Sequence, residues 1–195
     1  MDFVKQIYSF LNHGRGYHDT GKPIATVEKI APRNDLPEQI DFNDEFKSAF
    51  EKMENTNEHI FITGKAGTGK STLLRYFALN TKKKAVVLAP TGVAAINVGG
   101  QTIHSFFKFP PSLIQKDNIR RRRRGSVIEK LDMVIIDEVS MVRADLMDGI
   151  DYALRLNRGE MKKPFGGVQM IFFGDLFQLP PVLDTAAKEL LDERY

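Results

Sequence analysis

A glycine-rich segment at 64–71 limits most strongly what this chain folds into. It has the pattern G-x-x-x-x-G-K-S, from Gly64 to Ser71, and it directly follows an apolar, β-branched run at 60–63. Glycines at such positions let backbone N–H groups turn inward around phosphates, and a helix that begins near Lys70 directs its positive end at them. The segment therefore predicts a strand, a phosphate-binding loop and a helix in succession.

Each position of this loop has an expected role. The residues expected to contact a bound nucleotide are Gly64, Ala66, Gly67, Thr68, Gly69, Lys70, Ser71 and Thr72. Lys70 is expected to reach the β- and γ-phosphates of ATP and to act in catalysis, while the Ser71 hydroxyl binds Mg²⁺. A chance glycine-rich turn is the competing interpretation, and the helical stripe of Leu73, Leu74 and Phe77 that follows argues against it.

A second apolar run, at 133–136, ends in the carboxylates Asp137 and Glu138, which is a Walker-B pattern. At the carboxyl end of a parallel strand, Asp137 would bind the Mg²⁺ shell, and Glu138 would orient or deprotonate the attacking water. An acidic pair that merely ends a strand and caps the next helix is the alternative. That alternative explains neither the apolar run nor the phosphate loop, so the two motifs together predict ATP hydrolysis.

Three further stretches specify the kind of nucleotide hydrolase. They are Pro90-Thr91-Gly92 after a predicted strand at 85–89, the segment 99–107 with His104 and Phe106, and Gly174-Asp175-Leu176-Phe177-Gln178-Leu179-Pro180-Pro181 after a predicted strand at 169–173. Together with Asp137-Glu138-Val139-Ser140-Met141 they resemble the ordered motifs of the RecD-like, Pif-type branch of superfamily-one DNA helicases. The resemblance covers about 61–182, and several motifs in the right order are more specific than any one of them.

The resemblance implies roles for residues outside the phosphate loop. It makes Thr91 and Gly92 contacts for the backbone of single-stranded DNA, and His104 and Phe106 part of a second DNA contact. It makes Gln178 a catalytic sensor of the γ-phosphate. Small residues beside Thr91 do allow close approach of a backbone, and exposed aromatic rings stack on bases. Without the resemblance, however, the residues favour an ordinary loop histidine at His104 and a core cluster of Phe106, Phe107 and Phe109.

Alternating strands and helices predict a parallel α/β sheet with covered faces. Strands are predicted at 59–63, 85–89, 133–137 and 169–173, and helices from 44, from 70, from 92 and near 143–157, with a long loop before the third strand. The resemblance specifies a RecA-like P-loop NTPase domain at 41–195, as an incomplete first lobe, and a poorly defined amino-terminal arm at 1–40.

The length of the chain sets its expected function. A chain of 195 residues, 42% of them hydrophobic, has room for one good globular domain. Helicases of the resembled class close two RecA-like lobes on one ATP, and the second lobe supplies an arginine. We therefore expect the motor segment of a 5′-to-3′ DNA helicase, nearly inactive alone, with single-stranded DNA and a second lobe as partners. The alternative is a nucleotide-dependent switch or DNA-binding module without motor activity. Later helicase motifs after Tyr195 would favour the first and a stop codon the second.

Composition excludes several other classes. With no cysteine and four histidines without zinc spacing, ATP and Mg²⁺ are the only cofactors implied. No membrane-length apolar segment or secretory signal is present, so we expect a soluble, intracellular protein, cytoplasmic or, in a eukaryote, nuclear or mitochondrial.

Two features leave alternatives open. The basic run at 120–124 is predicted to be a surface loop, and it reads either as a phosphate contact or as a solvated segment. In the resembled family a glutamine before the phosphate loop contacts adenine, and the upstream candidates here are Gln6 and Gln39.

Overall fold

The computed structural model describes residues 43–65 and 67–178, together with the isolated positions 181, 188, 191 and 192. The predicted arm at 1–40, with Gln6 and Gln39, lies outside the described residues, and so does Ala66 of the phosphate loop.

Five parallel strands form one sheet in the described part of the chain, which confirms the predicted α/β class. The strands are β1 (Ile60–Thr63), β2 (Ala85–Ala89), β3 (Gln101–Thr102), β4 (Met133–Ile136) and β5 (Gln169–Gly174). The α-helices are α1 (Asp44–Asn55), α2 (Lys70–Asn80), α3 (Gly92–Asn97), α4 (Ile103–Phe107) and α5 (Ala144–Arg158), and short 3-10 helices lie at Lys116–Asn118, Val127–Lys130, Val139–Met141 and Pro164–Gly167. The strand order is β1-β5-β4-β2-β3, so β5 lies between the strand of the phosphate loop and the strand of the acidic pair.

The centre of the sheet is apolar on both faces. All four residues of β4 are buried, as the unbroken apolar run predicts for a strand that is covered on both sides. The cluster on one face draws on α1, α2, β4 and β5, and its buried members are Met53, Leu73, Leu74, Phe77, Val98, Met133, Ile135, Ile171 and Phe173. The alternate residues Val134, Ile136 and Met170 are also fully buried, so the other face is covered as well.

Helix α1 begins where the sequence predicts and packs on α2. The Asn43 side chain caps it by accepting the Phe46 N–H at 2.8 Å. The Phe46 ring contacts Tyr76 at 5.8 Å between centroids, and Phe50 contacts Phe77 at 5.1 Å. These aromatic pairs fix α1 against the helix that follows the phosphate loop.

The predicted long loop before β4 contains regular structure that the sequence did not indicate. β3 has two residues and pairs with β2, and α4 has five. Elements this short leave too few residues for a periodic pattern. Gly100 makes the turn into β3 possible, since an added Cβ would lie 2.4 Å from the Val87 carbonyl oxygen.

Candidate nucleotide-binding site

The loop between β1 and α2 has the backbone geometry of a phosphate cradle. Gly67 (φ 79°) and Gly69 (φ 87°) both adopt the left-handed region, which is strained for residues that carry a Cβ. Gly69 is also the N-cap of α2, and no side chain caps this helix end. The first N–H groups of a helix have no acceptor within it, so this end offers hydrogen-bond donors to an anion.

The Lys70 side chain folds back over the loop. Its Nζ donates to the Gly64 carbonyl at 2.5 Å and to the Lys65 carbonyl at 2.9 Å, and the Thr68 hydroxyl donates to the same Lys65 oxygen at 2.9 Å. The positive charge of Lys70 is therefore held within the loop. The exposed Ser71 follows it in the first turn of α2, and the half-buried Thr72 comes next.

Asp137 directly follows β4 and is 8% exposed. Its N–H donates to the Leu88 carbonyl of β2 at 2.9 Å. Desolvation raises the pKa of the Asp137 carboxyl to about 6, against a hydrogen bond from the Glu138 backbone and the positive charges of Lys70 and Arg75. The charge of Lys70 thus acts on Asp137, so the phosphate loop and the acidic pair face one site. The positive charge of Arg75 also acts on Asp137, a role that no sequence motif predicted.

Glu138 has a backbone conformation that its sequence does not suggest. Its φ of 51° and ψ of 46° lie in the left-handed region, which is uncommon for a residue other than glycine and costs roughly 1–3 kcal/mol. The residue lies two positions after the end of β4 and is the N-cap of the 3-10 helix Val139–Met141. Strained backbone of this kind clusters at functional sites, where it fixes the position of a side chain.

The segment after β5 approaches the same edge of the sheet. At Gly174 an added Cβ would lie 2.9 Å from Val139 Cγ1, so the end of β5 packs directly on the turn that follows Glu138. Asp175, which is 8% exposed, accepts the Phe177 N–H at 3.0 Å, and its backbone carbonyl accepts the Gln178 N–H at 2.9 Å. The exposed Gln178 side chain donates to the Asp175 carboxylate at 3.4 Å. Asp175 therefore orders the turn that carries Gln178, a role that sequence reasoning missed.

Thr91 and Gly92 lie beyond β2, at the same edge. The Thr91 hydroxyl caps α3 by accepting the Ala94 N–H at 3.2 Å. Space around Gly92 is open, because an added Cβ would meet no atom within 4 Å. Both residues are therefore available to an elongated ligand beside the nucleotide site.

The interpretation of Phe106 as an exposed stacking aromatic is wrong. Its ring is 6% exposed and packs edge-on against Phe107 at 4.9 Å between centroids, and Phe107 stacks on Phe109 at 5.2 Å. The three rings form the core cluster that was the alternative. Burial removes the apolar surface of these three rings from water, which stabilises the fold.

His104 is half-buried on α4, and a pair of charged residues faces it. Desolvation and the nearby Arg143 lower the pKa of His104, while Asp145 opposes this. Asp145 is 1% exposed, pairs with Arg143 through two hydrogen bonds of 2.9 Å and accepts the Ile114 N–H at 2.8 Å. This network joins the start of α5 to the segment after α4. No sequence pattern predicted this network, because Ile114 lies 31 residues before Asp145.

Known proteins resemble this chain over most of the described region. The PIF1-like helicase family matches residues 41–193. This chain belongs to the PIF1-like helicase family. The ATP-dependent DNA helicase PIF1 of Saccharomyces cerevisiae is 41% identical over 141 residues, which are 67% of this chain and 16% of that protein.

Two solved structures share the fold of this PIF1-like chain. Bacteroides Pif1 bound to single-stranded DNA is 40% identical, with a TM-score of 0.73 over 80% of this chain and 37% of that one. Bacteroides Pif1 in complex with ADP-AlF4 is 41% identical, with the same TM-score and coverage. The resemblance that the motifs indicated and the RecA-like fold are thereby confirmed. The chain spans well under half the length of these relatives.

Within the described residues of this PIF1-like chain, no helix combines the length and the apolar character needed to cross a bilayer.

The raised pKa of Asp137 makes the stability of the chain depend on pH. The folded-state pKa of about 6 exceeds the ordinary value of 3.8, so the folded state binds more protons between these values and stability falls as pH rises through them. We expect Asp137→Asn, without metal or nucleotide, to remove this fall and to gain up to about 3 kcal/mol over the parent at pH 8. Urea unfolding across pH 4–8 measures it, with the exposed Asp117→Asn as control. Parallel pH profiles for parent and Asp137→Asn would contradict the burial argument.

Proposed function

We propose that this chain is the ATP-binding and hydrolysing motor segment of a 5′-to-3′ DNA helicase, one lobe that works with a second RecA-like lobe. The observation that carries the proposal is the meeting of three motifs at one sheet edge. The loop of Gly67 and Gly69 leaves β1, the pair Asp137 and Glu138 leaves β4, and Gln178 follows β5 between them. The 5′-to-3′ direction rests on the family resemblance alone.

Nucleotide binding is assigned to the loop and the start of α2. The donors at the α2 end fit the β- and γ-phosphates, and Lys70 would exchange its bonds to the Gly64 and Lys65 carbonyls for phosphate oxygens. Ala66 and Thr68 complete the loop. The ADP-AlF4 complex of Bacteroides Pif1 supports this assignment.

The chemistry of the donor set fits Mg²⁺. Ser71 offers a hydroxyl and Asp137 a carboxylate, and Mg²⁺ in phosphate-transfer sites takes one or two carboxylates together with phosphate oxygens and water. Burial raises the pKa of Asp137 because it disfavours the charged carboxylate, and a bound cation would stabilise that charged form. Bound Mg²⁺ would neutralise charge that develops on the phosphate oxygens.

Glu138 is assigned the role of base. Its carboxylate would accept a proton from the water that attacks the γ-phosphorus, while its left-handed backbone turns the chain directly after Asp137. Gln178 would sense the γ-phosphate, since its turn packs on the segment after Glu138 through Gly174 and Val139.

Single-stranded DNA is the proposed polymer ligand, and the DNA complex of Bacteroides Pif1 supports it. Thr91 and Gly92 would contact its phosphate backbone, and His104 would contribute from α4. Phe106 supports α4 from the core side and makes no base contact in this proposal. A DNA motor acts where DNA is found, in the cytoplasm of a bacterium or in the nucleus or mitochondria of a eukaryote.

The second lobe would bring an arginine to the γ-phosphate, a contribution worth on the order of 10³ to 10⁵ in turnover. This lobe alone would therefore bind ATP and hydrolyse it very slowly. A nucleotide-dependent switch without motor activity would need the same hydrolytic residues, so what favours the motor is the similarity to DNA helicases over 41–193.

The DNA part of the proposal is tested at Gly92. Gly92→Glu places a negative charge where Cβ has open space and where the N-terminus of α3 tolerates an acid, so the fold is preserved. We expect it to weaken binding of a single-stranded oligonucleotide on the order of tenfold, because one phosphate contact becomes repulsive. Fluorescence anisotropy at low salt measures this, and Gly92→Gln, of the same size without the charge, is the matched control. Equal affinities for the parent and Gly92→Glu would remove this segment from the DNA site.

A further inference from the structure

The basic run at 120–124 forms a surface that the nucleotide site does not use. Four of its five guanidinium groups are exposed, and we call Arg120, Arg121, Arg123 and Arg124 the arginine surface. None of the four makes an ion pair within the described part of the chain. Such a concentration of unneutralised charge in five residues needs an explanation, because like charges repel one another.

The segment is anchored, which argues against a solvated, unstructured loop. The half-buried Arg122 donates its backbone N–H to Asn157 at 2.7 Å and its guanidinium to the Phe106 carbonyl at 2.9 Å. Ile119 before the run and Ile128 after it are both buried. These contacts hold the backbone of the segment in place, so the four exposed neighbours of Arg122 start from defined positions on the surface.

Arg121 and Arg124 line a cavity of about 290 Å³ with Arg158, Asn157, Glu129 and Glu160. Of its two carboxylates, Glu160 pairs with Lys163 at 3.3 Å, whereas Glu129 accepts the Gly125 N–H at 2.8 Å and offsets one of the three arginine charges. Arg158 donates to the carbonyls of Gly166, Glu129 and Leu131. The cations that remain for a ligand are Arg121 and Arg124.

The arginine surface lies at the edge of the sheet opposite the nucleotide site. Arg158 ends α5, which starts just after the acidic pair, and it contacts the carbonyl of Leu131 before β4 begins. A helix of 15 residues is about 22 Å long, so the surface lies roughly that far from Glu138. It is therefore separate from the proposed single-strand contacts at Thr91 and Gly92, and it meets α4, the helix that carries His104, through the half-buried Arg122 and its bond to the Phe106 carbonyl.

We propose that the arginine surface binds the phosphate backbone of duplex DNA. Duplex DNA carries one negative charge per ~1.7 Å of axis, about twice the density of one strand, and it suits four guanidinium groups held close together. Arginine also binds phosphate through two parallel hydrogen bonds. This inference rests on the proposed function and adds a second nucleic-acid contact, which would hold the duplex near the lobe.

The test compares R121Q/R124Q with a pair that loses the same charge elsewhere, K52Q/K82Q, whose lysines are exposed. Anisotropy of a blunt duplex and of a single-stranded oligonucleotide is measured across salt concentrations with the 195-residue chain. The slope of log K against log salt is negative, and we expect R121Q/R124Q to make it less steep by about 2 for the duplex. Each lost phosphate contact makes the slope less negative by ~0.9. The single-strand slope and the K52Q/K82Q slopes should stay near those of the parent. A normal nucleotide-induced thermal shift shows that R121Q/R124Q is folded.

The outcomes separate this inference from the proposed function. An unchanged duplex slope in R121Q/R124Q, with single-strand binding that still depends on Gly92, overturns the arginine surface alone. An equal loss of single-strand and duplex binding would assign these arginines to the single-strand path and overturn the duplex site. A parent chain that binds neither DNA would overturn both.

Discussion

Replacing Glu138 with glutamine is expected to lower ATP turnover by about 10²- to 10⁴-fold, the usual contribution of a positioned general base. Glutamine keeps the size of the side chain and its place at the left-handed turn, but it cannot accept the proton of the attacking water. Nucleotide affinity should stay within a few-fold of the parent value, since the loop at 64–71 is untouched. Single-turnover hydrolysis, in a host that carries both lobes, measures the effect.

The matched control for this experiment is Glu51→Gln, an exposed acid on α1. Its turnover should equal that of the parent. A Glu138→Gln protein that hydrolysed ATP at the parent rate would remove Glu138 from the base role and leave the strained turn without a catalytic reason.

Lys70→Ala is expected to abolish the thermal stabilisation that Mg-ATP gives to the chain. A ligand at 100 times its Kd stabilises the folded state by about 2.7 kcal/mol, or about 5 to 10 °C in the Tm of a chain of this size. Lys70 supplies the charge held within the loop, and its loss should leave a shift close to zero at the same nucleotide concentration. Differential scanning calorimetry with and without nucleotide measures it.

Lys65→Ala is the control, because Lys65 is exposed in the same loop and contributes its carbonyl rather than its ammonium. The Tm of each nucleotide-free variant serves as its own baseline, since Lys70→Ala also removes two hydrogen bonds. Identical nucleotide shifts in the parent and Lys70→Ala would mean that the phosphates bind elsewhere.

The elements that surround the site could be predicted because their signals are local. The strand Ala85–Ala89 begins and ends where the apolar run does, and β4 ends one residue before its predicted boundary. A parallel sheet covered on both faces requires continuous apolar runs, and such runs are easy to find in a sequence. The glycines of the phosphate loop are local signals too, since Gly67 and Gly69 adopt φ values that favour glycine.

What the sequence did not reveal depends on contacts between distant segments. Three phenylalanines in four positions do not show which side of α4 is buried; Phe106 lies in the core, where its ring packs on Phe107, which in turn stacks on Phe109. Asp145 is paired by Arg143 and by the Ile114 N–H, a combination that only the folded chain creates. The left-handed backbone of Glu138 was equally unpredictable, because no glycine marks it.

The hydrogen bond from the Asp137 N–H to the Leu88 carbonyl joins the ends of two neighbouring strands. Leu88 precedes Thr91 by three residues, so in the proposed motor the metal ligand and the first DNA contact are separated by one hydrogen bond and a few backbone units. A force on the DNA at Thr91 would then reach Asp137 through the backbone of β2 and this hydrogen bond, rather than through a long chain of side chains. Movement along DNA and ATP hydrolysis would then be coupled through this one backbone connection inside a single lobe.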